Sequence, residues 1–468
     1  MNKKENKISK EIKINKKSAR KNYSNQTGIT LIALVATIVV LLILAGVSIN
    51  AIFSENGIIK RAKYAQNKMD QAIQNDLDAI NELNNWIDGK INGSSGGNTT
   101  GGNTTGGDDK PSTSDLPSVA NKTIPYYPDN TFTKVDGTDL SKGLVIKDVS
   151  GNEYVWIEVP KTAEVYPTAG LKITNFTEDE YTAIETDLHT YTDYYRRDKS
   201  GTLTSYKDTY YSDATTGLTS EKYTELKQKM LKSVYENGGF WIGRYEAGIE
   251  TVEGDATAAP LSKAGTVENP VYPYTDVTCS QAQTLASKLS TEKSYTSSLM
   301  FGVQWDLVLK HIEVKEVEQG TELATIQSAL RSDSSSWGNY YNASFEINRG
   351  KYAKHGALSG EWNNYNTALA NCVTLENGIS KKASASSYDN GILLTTGASE
   401  ACKKMNIYDL AGSVWEWTLE YSANTNDPCA RRGGSYRRSG SSRPASYRGY
   451  YGTTSGYYGI GFRPSLFK

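Results

Sequence analysis

The longest apolar stretch of the chain lies near its start, at residues 29–53, and it contains no charged side chain. A helix of about 25 residues is about 37 Å long, enough to cross the hydrocarbon layer of a membrane with some tilt. The preceding residues 1–27 carry nine Lys or Arg and two Glu, a net charge of +7. Because basic residues stay on the cytoplasmic side, we expect a single transmembrane helix that leads out of the cell. A secretory signal peptide is the alternative, but its apolar region is only about 7–15 residues long.

Apolar positions recur at steps of three to five in the next segment, residues 54–91, with Lys, Gln, Asn and Asp between them. This spacing predicts an amphipathic helix, about 46 Å long over residues 58–88. Two interpretations stay open. The helix is either a pilin-like stalk that packs on partner helices, or a single helix that folds against its own chain.

A low-complexity segment follows at residues 92–117. It repeats the letters GGNTT and contains no aromatic residue. Such a composition is typical of a flexible Gly/Asn/Thr linker, here with a reach of about 25–30 Å. The sequence therefore predicts a basic leader at 1–28, an anchor at 29–53, a stalk at 54–91 and a disordered linker before a globular head at 118–468.

Short apolar runs between turn residues dominate the head. They predict strands at 143–149, 153–159 and 240–245. Helical periodicity predicts helices at 280–290 and 303–312. The stretches 167–231 and 313–400 are rich in Thr, Ser, Tyr and Asn, and we expect them to be insertions with long loops. The mixture indicates an α+β fold.

The amino-acid composition argues against several classes of function. The chain has 468 residues, with 51 Lys or Arg against 52 Asp or Glu, so its net charge of -1 argues against a general nucleic-acid binder. Three His and four Cys leave little room for a zinc cage or a disulfide scaffold, and whether the cysteines pair stays open. The 32 Tyr, beside only eight Phe, are the unusual feature. Tyrosine has an apolar ring with a polar hydroxyl group, which suits partly solvent-exposed surfaces better than fully buried cores.

The junction between leader and anchor has a specific pattern. Gly28-Ile29 followed by Thr30-Leu31-Ile32 resembles a type IV prepilin signal. The resemblance implies that a membrane peptidase cuts between Gly28 and Ile29. That family usually has a glutamate at the fifth mature position, where this chain has Ala33. A charge in lipid needs a partner, and alanine cannot supply the carboxylate that pilins use between subunits. A minor pilin with pilin-like helix partners therefore stays an alternative function.

A series of motifs in the head occurs in a characteristic order. They are GFWIGRYE from Gly239, FGVQWD from Phe301, NIYDLAGSVWEW from Asn406, RGGSY from Arg432 and GFRP from Gly461. The series resembles the formylglycine-generating-enzyme, or sulfatase-modifying-factor, superfamily. The resemblance covers most of residues 140–468 and implies a C-type lectin-like domain. We interpret these motifs as architectural, and alternation along a strand would place Trp415 and Trp417 on one face and Glu416 on the other.

Catalytic members of that superfamily carry two cysteines at positions that align here with Arg438 and Arg443. Guanidinium groups cannot provide the thiolate that redox chemistry or copper binding requires. We therefore expect no enzyme, and an oxidase of the formylglycine-generating type is an alternative that the missing cysteines argue against. No cofactor is expected and the metal ligands are unknown. Calcium stays open, because Ser413 replaces the family's usual asparagine and is a poorer ligand.

The C-terminal segment 431–468, called the cassette below, contains no acidic residue and is rich in Arg, Tyr, Ser and Gly. Tyrosine and arginine supply most hot-spot contacts in binding surfaces, while Ser and Gly supply adaptable hydrogen bonds. The cassette therefore predicts a ligand-binding surface. Its candidate residues are Tyr436, Arg437, Arg438, Arg443, Tyr447, Arg448, Tyr450, Tyr451, Tyr457 and Tyr458.

The cassette also resembles the variable region of diversity-generating-retroelement proteins, which share the lectin-like fold. The resemblance implies a cassette bounded by Gly-Gly-Ser and Gly-Phe-Arg-Pro and diversified at adenines, although non-variable relatives have similar tails. We expect a cell-surface binding protein of the adhesin or receptor type, held in the cell membrane by residues 29–53 with its head outside. The expected partner is an extracellular protein or glycan. A polyanion is the alternative, and no nucleic-acid partner is expected.

Overall fold

The structure, a computed structural model, describes residue 113 and residues 115–251, 257–291, 293–354, 361–368, 372–375, 378–383 and 391–468. These residues belong to one unit of the chain, Thr104–Lys468. The leader, the anchor, the stalk helix and most of the linker lie outside the described residues, as do Gly28 and Ile29. Within the described part of the chain, none of the helices is both long enough and apolar enough to cross a membrane.

Helices and strands are mixed along the described chain, which confirms the α+β fold class. The helices are α1 Glu178–Tyr191, α2 Asp193–Arg196, α3 Asp213–Thr216, α4 Ser220–Asn237, α5 Cys279–Ser287, α6 Gly302–Glu318 and α7 Leu323–Arg331. The strands of the first half are β1 Thr133–Lys134, β2 Val145–Lys147, β3 Glu153–Glu158, β4 Gly239–Gly243, β5 Gly248–Ile249, β6 Tyr272–Pro273 and β7 Thr296–Leu299.

Short strands also fill the second half of the head. They are β8 Phe345–Ile347, β9 Lys351–Lys354, β10 Trp362–Asn364, β11 Cys372–Leu375, β12 Gly378–Lys381, β13 Ile392–Leu394, β14 Lys403–Lys404, β15 Ile407–Tyr408, β16 Trp415–Tyr421, β17 Cys429–Arg432, β18 Arg448–Tyr451, β19 Ile460–Phe462 and β20 Pro464–Phe467. The predicted strands and helices named above are therefore present, but with different bounds: β2 covers only 145–147, β4 ends at Gly243, α5 ends at Ser287, and α6 extends six residues beyond its predicted end.

The largest sheet of the described residues has six antiparallel strands, in the order β1-β2-β3-β4-β20-β7. Both of its faces are covered, because Tyr154 and Trp156 of β3 join one apolar cluster while Val155 and Ile157 join another. This is why β3 reads as a continuous apolar run rather than an alternating one. Strand β20 lies between β4 and β7 in this sheet.

The head begins slightly earlier than predicted. Leu116, placed in the linker by its position next to a Gly/Asn/Thr-rich stretch, is buried in the apolar cluster that also holds Trp156 and Trp241. The linker prediction is therefore wrong at its C-terminal end. A single apolar side chain beside a long polar segment gives no periodic signal, which explains the error.

The two predicted insertions are more regular than expected. Residues 167–231 contain α1 and most of α4, and residues 313–400 contain the end of α6, α7 and the strands β8 to β13. The prediction of long loops is wrong there. Helix α1 illustrates the reason: Thr177 and Glu180 form a capping box, but its two buried aliphatic residues, Ile184 and Leu188, are set among Thr and acidic residues.

A second, four-stranded sheet carries the cassette, in the order β18-β17-β16-β19. The Trp-Glu-Trp motif begins β16, so the alternation expected for a strand applies to it. Glu416 of that strand is paired with Arg432 of β17, and Trp417 is paired with Arg431. Because successive side chains of a strand point to opposite faces, Arg431 and Arg432 lie on different sides of this sheet.

Candidate functional site

Two arginines of the cassette are buried in a four-residue ion cluster. The Nη2 of Arg432 lies 2.7 Å from Oδ1 of Asp306, and its Nη1 lies 3.0 Å from Oε2 of Glu420. Arg448 donates from Nε to the other Glu420 oxygen at 2.9 Å and from Nη2 to Asp306. The cluster balances two positive and two negative charges, and each of the four side chains is at most 4% exposed.

A third buried arginine joins two of the motifs found in the sequence. Arg463 of Gly-Phe-Arg-Pro donates to both oxygens of Glu416, at 2.7 and 3.1 Å. It also donates to the carbonyl oxygens of Gly243 and Tyr408, so every part of the guanidinium is used. This arrangement agrees with an architectural role for the Trp-Glu-Trp and Gly-Phe-Arg-Pro motifs.

Two of the ten candidate ligand-binding residues are therefore not presented to solvent. Arg448 belongs to the buried ion cluster, and Tyr436 is fully buried with Leu393 and Val414. The prediction that these two side chains line a surface is wrong. Within an Arg/Tyr-rich segment, the sequence does not distinguish an arginine with buried carboxylate partners from one without them.

Most of the other candidates lie together in one continuous arrangement, which we call the aromatic–arginine row. Its members, in spatial order, are Arg443, Tyr447, Trp415, Arg431, Tyr451, Tyr457, Tyr458 and Arg437. Each member stacks on or contacts the next, with centroid distances between 4.2 and 6.4 Å. Trp415 is buried and the other seven members are half-buried. The row thus combines flat apolar rings with positive charge, as ligand-binding surfaces commonly do.

Arg431 occupies the middle of the row. Its guanidinium carbon lies 4.7 Å from the Trp415 ring centre and 4.5 Å from that of Tyr451. Burial lowers the pKa of Arg431 to about 10, and the neighbouring positive charge of Arg438 acts in the same direction. The side chain still carries its charge near neutral pH. In the part of the chain that the structure describes, no carboxylate lies within ion-pair distance of it, and its Nε has no hydrogen-bond partner.

The remaining candidates differ in exposure. Arg438 is exposed, and Tyr450 is 51% exposed on the opposite side of β18 from Tyr451. Tyr450 therefore lies on the other face of the sheet and is not a member of the row. The sequence-based candidates missed Trp415 and Arg431, since neither is recognisable as a site residue until β16, β17 and β18 are paired. They also missed Tyr206, a half-buried ring that influences the pKa of Arg431.

The Gly-Gly-Ser motif positions the start of the cassette. Gly434 has φ +82°, a backbone conformation that favours glycine, and a Cβ there would lie 2.4 Å from the carbonyl oxygen of Arg443. The glycine therefore lets two parts of the cassette backbone approach closely. A side chain at this position would push the Arg443 segment away from Tyr447 and Trp415.

One cluster of possible metal ligands exists among the described residues, outside the cassette. Glu185 and His189 of α1 and the buried Asp208 bring one ligand atom each within 4.8 Å of one another. However, Nζ of Lys227 already lies 2.9 and 3.1 Å from the Glu185 oxygens. Asp208 accepts from the backbone N–H groups of Gly302 and Val303 at the start of α6. Existing partners therefore satisfy much of this cluster.

The residue that replaces the family's calcium-binding asparagine is also engaged. The Ser413 hydroxyl donates to Oε1 of Glu246 at 3.0 Å in a fully buried environment. Burial, followed by the nearby charges of Asp409 and Glu416, raises the pKa of Glu246 well above its usual value. The Asp409 carboxylate accepts from the backbone N–H of Gly397 at 2.8 Å, and burial raises its pKa to about 6.

Replacing Asp409 by asparagine should change how stability depends on pH. Because the folded state holds the Asp409 proton more tightly than the unfolded chain does, its contribution is largest below about pH 4 and is lost as the pH rises through about 6. As the pH rises through this range, the free energy of unfolding of Asp409→Asn should increase by on the order of 2–3 kcal/mol relative to that of the wild type. Urea titrations at a series of pH values measure this difference, and a pH-independent difference would contradict it.

No family model matches the chain, and no curated protein matches it either. Within the cassette, Arg431 and Arg432 differ most clearly in their surroundings. Both belong to β17, but Arg432 lies against the carboxylates of Asp306 and Glu420, whereas Arg431 lies against the rings of Trp415 and Tyr451.

Proposed function

We propose that the head binds an anionic ligand through the aromatic–arginine row and the adjacent Arg438. The observation that carries the proposal is Arg431, a charged side chain held between Trp415 and Tyr451 with no carboxylate partner among the described residues. Holding a partly buried charge in this way is costly, as its lowered pKa shows. A carboxylate, phosphate or sulfate group on a partner would supply the missing opposite charge.

The geometry of the row suits such a ligand. Stacking covers the flat faces of the guanidinium groups of Arg431 and Arg443. The Nη1 of Arg443 donates to the carbonyl oxygen of Ser442, and the remaining N–H donors at the guanidinium edges suit an anion. The half-buried rings of Tyr447, Tyr451 and Tyr457 provide apolar contact with little loss of side-chain entropy. The tyrosine rings would then contribute affinity through apolar contact, and the guanidinium N–H groups would orient the anion.

The proposal is tested by probing the full chain, in detergent micelles, against an array of glycans and peptides. Each array member with carboxylate, phosphate or sulfate groups has a neutral analogue. We expect saturable binding of at least one charged member in preference to its analogue, and Arg438→Ala or Arg443→Ala should each weaken it about tenfold.

A cation stacked on a ring elsewhere in the head gives the matched control. Lys161 lies 4.1 Å from the ring centre of Tyr235, outside the cassette, and Lys161→Ala should leave binding unchanged. Equal binding of charged and neutral members would contradict the proposal. Equal effects of the cassette variants and the control variant would also contradict it.

The N-terminal segments would hold this head at the cell surface. We infer that residues 29–53 anchor the chain in the cell membrane, and that the helix 54–91 and the linker after it carry the head outward. The basic residues 1–27 support this orientation, because positive charges stay on the cytoplasmic side. The chain would then be a single-pass surface protein of the adhesin or receptor type.

Processing at the leader gives a direct prediction. We expect the mature chain isolated from membranes to begin at Ile29. Replacing Gly28 by valine should block cleavage, because the side chain would occupy the position next to the cut bond. The N-terminal peptide identified by mass spectrometry measures this outcome. Gly57→Val, just beyond the anchor, is the matched control and should be processed normally; a wild-type chain that keeps residues 1–28 would contradict the prediction.

We further propose that the cassette is diversified by a retroelement. The Arg, Tyr, Ser and Gly composition of 436–458 supports this, because adenine mutation of Asn codons produces these residues. The coding DNA tests it: a nearby near-copy of the cassette region, differing only opposite adenines and next to a reverse-transcriptase gene, is the expected result. Differences that fall mainly at the codons of the buried Arg432, Arg448 and Arg463 would contradict it.

The alternatives have separate tests. A formylglycine-generating-type oxidase should turn over a cysteine peptide, with or without copper. We propose that this protein is not an enzyme, because Arg438 and Arg443 stand where that family's catalytic cysteines align. A minor pilin should appear in intact filaments as the mature chain, and its helix 54–91 would pack on partner helices.

A further inference from the structure

Two cysteines that are far apart in sequence come close together at the start of β17. Cys279 begins α5 and Cys429 begins β17, and both side chains are buried. Both are free thiols in the structure, and a hydrogen bond with the Cys429 side chain is the first cause of the raised pKa of Cys279. The Sγ of Cys279 also lies 3.6 Å from the carbonyl oxygen of Thr418, and the Sγ of Cys429 lies 3.9 Å from that of Thr215.

The surrounding backbone supports this placement independently. Thr418 of β16 is paired with Ala430, the residue after Cys429, so the carbonyl next to Cys279 lies beside the start of β17. Helix α3 also packs close to α5: a Cβ on Gly217, which ends α3, would lie 2.6 Å from the carbonyl oxygen of Ser280. Contacts among α3, α5, β16 and β17 therefore fix where the two sulfur atoms lie.

We propose that Cys279 and Cys429 form a disulfide bond when the chain folds in an oxidising environment. Each thiol loses one proton and one electron, and one S–S bond forms. A disulfide oxidant, such as oxidised glutathione or a thiol–disulfide oxidoreductase, takes up the two electrons and is reduced to two thiols. This site is independent of the proposed ligand-binding function.

The bond would form during folding and would then be protected. In the folded chain, contact with Cys429 and burial raise the pKa of the Cys279 thiol well above its usual value, so little of the reactive thiolate is present. Both cysteines are buried in the folded head, so a reductant in solution cannot reach their sulfur atoms. The crosslink would tie the start of α5 to the strand that carries Arg431, two residues after Cys429.

The test is cell-free synthesis of the full chain with detergent, in a glutathione buffer that is either oxidising or reducing. The products are denatured, alkylated with iodoacetamide, digested and analysed by mass spectrometry. Under oxidising conditions we expect a linked peptide pair that joins Cys279 to Cys429, with Cys402 alkylated. Cys402 is the internal control, because it is also buried but no second cysteine contacts it among the described residues.

Variants separate this disulfide from other causes of protection. Cys279→Ser and Cys429→Ser should each leave the remaining partner alkylated, whereas Cys402→Ser should keep the linked pair. Reductant present during synthesis should lower the wild-type midpoint of thermal unfolding by about 5–10 °C, and it should not affect the Cys279→Ser variant. Alkylation of both cysteines in the oxidised wild type, or a linked pair that includes Cys372 or Cys402, would overturn the proposal.

Discussion

Arg432→Ala is expected to lower the free energy of unfolding by about 3–5 kcal/mol. The substitution removes one of two guanidinium groups that neutralise Asp306 and Glu420 in a site closed to water. The remaining Arg448 would then face two buried carboxylates, and one negative charge would stay uncompensated. The loss would exceed that from an exposed ion pair, for which about 0–1 kcal/mol is typical.

Chemical unfolding followed by tryptophan fluorescence measures this loss. A charge-balanced control is the double variant Arg432→Met with Glu420→Gln, which removes one positive and one negative charge and keeps the contact between Arg448 and Asp306. It should recover a large part of the stability lost in Arg432→Ala. If Arg432→Ala costs less than about 1 kcal/mol, the ion cluster is not a structural element of the head.

Arg431→Ala is expected to have the opposite pattern: a large effect on binding and a small effect on stability. Loss of a central hot-spot arginine should weaken binding of the charged ligand about 30–100-fold. Stability should change by less than about 1 kcal/mol, because the side chain is only partly buried and its charge has no carboxylate partner among the described residues. The two neighbouring arginines would thus separate binding from folding.

Titration of the ligand onto wild type and variant, with unfolding curves measured in parallel, gives both quantities. Arg431→Lys is the conservative control. It keeps the charge but loses the flat group that stacks between Trp415 and Tyr451, so its affinity should lie between those of wild type and Arg431→Ala. Unchanged affinity in Arg431→Ala would show that the ligand does not use the centre of the row.

Local patterns predicted much of the framework of the head. The strand over 153–159, the helix that begins at Gly302 and the strand of Trp415 and Trp417 are each marked by apolar spacing within a few residues. They were predictable because the signal and the element coincide in sequence. The regular elements of the insertions were not, because α1 buries few apolar residues and its Thr-rich composition resembles that of a loop.

The candidate site was predictable only in outline. The cassette composition indicates a binding surface, but all of its arginines look alike in the sequence. Arg432 and Arg448 differ from Arg431 because Asp306, 126 positions before Arg432, comes into contact with them on folding. Trp415 belongs to the row for the same reason, since its neighbours Arg431 and Tyr447 reach it from β17 and from the segment before β18. Tertiary pairing decides these roles.

Photo-crosslinking tests the central claim most directly. A photoreactive amino acid is placed at Arg438, which is exposed and whose charge acts on Arg431, or at Val149, which is 83% exposed and outside the cassette. The full chain is then irradiated with the charged ligand that the array identifies. We predict that the ligand is labelled from position 438 and not from position 149, and that excess unlabelled ligand suppresses the reaction. Labelling from position 149 alone, or equally from both positions, would contradict a ligand-binding surface built from the aromatic–arginine row.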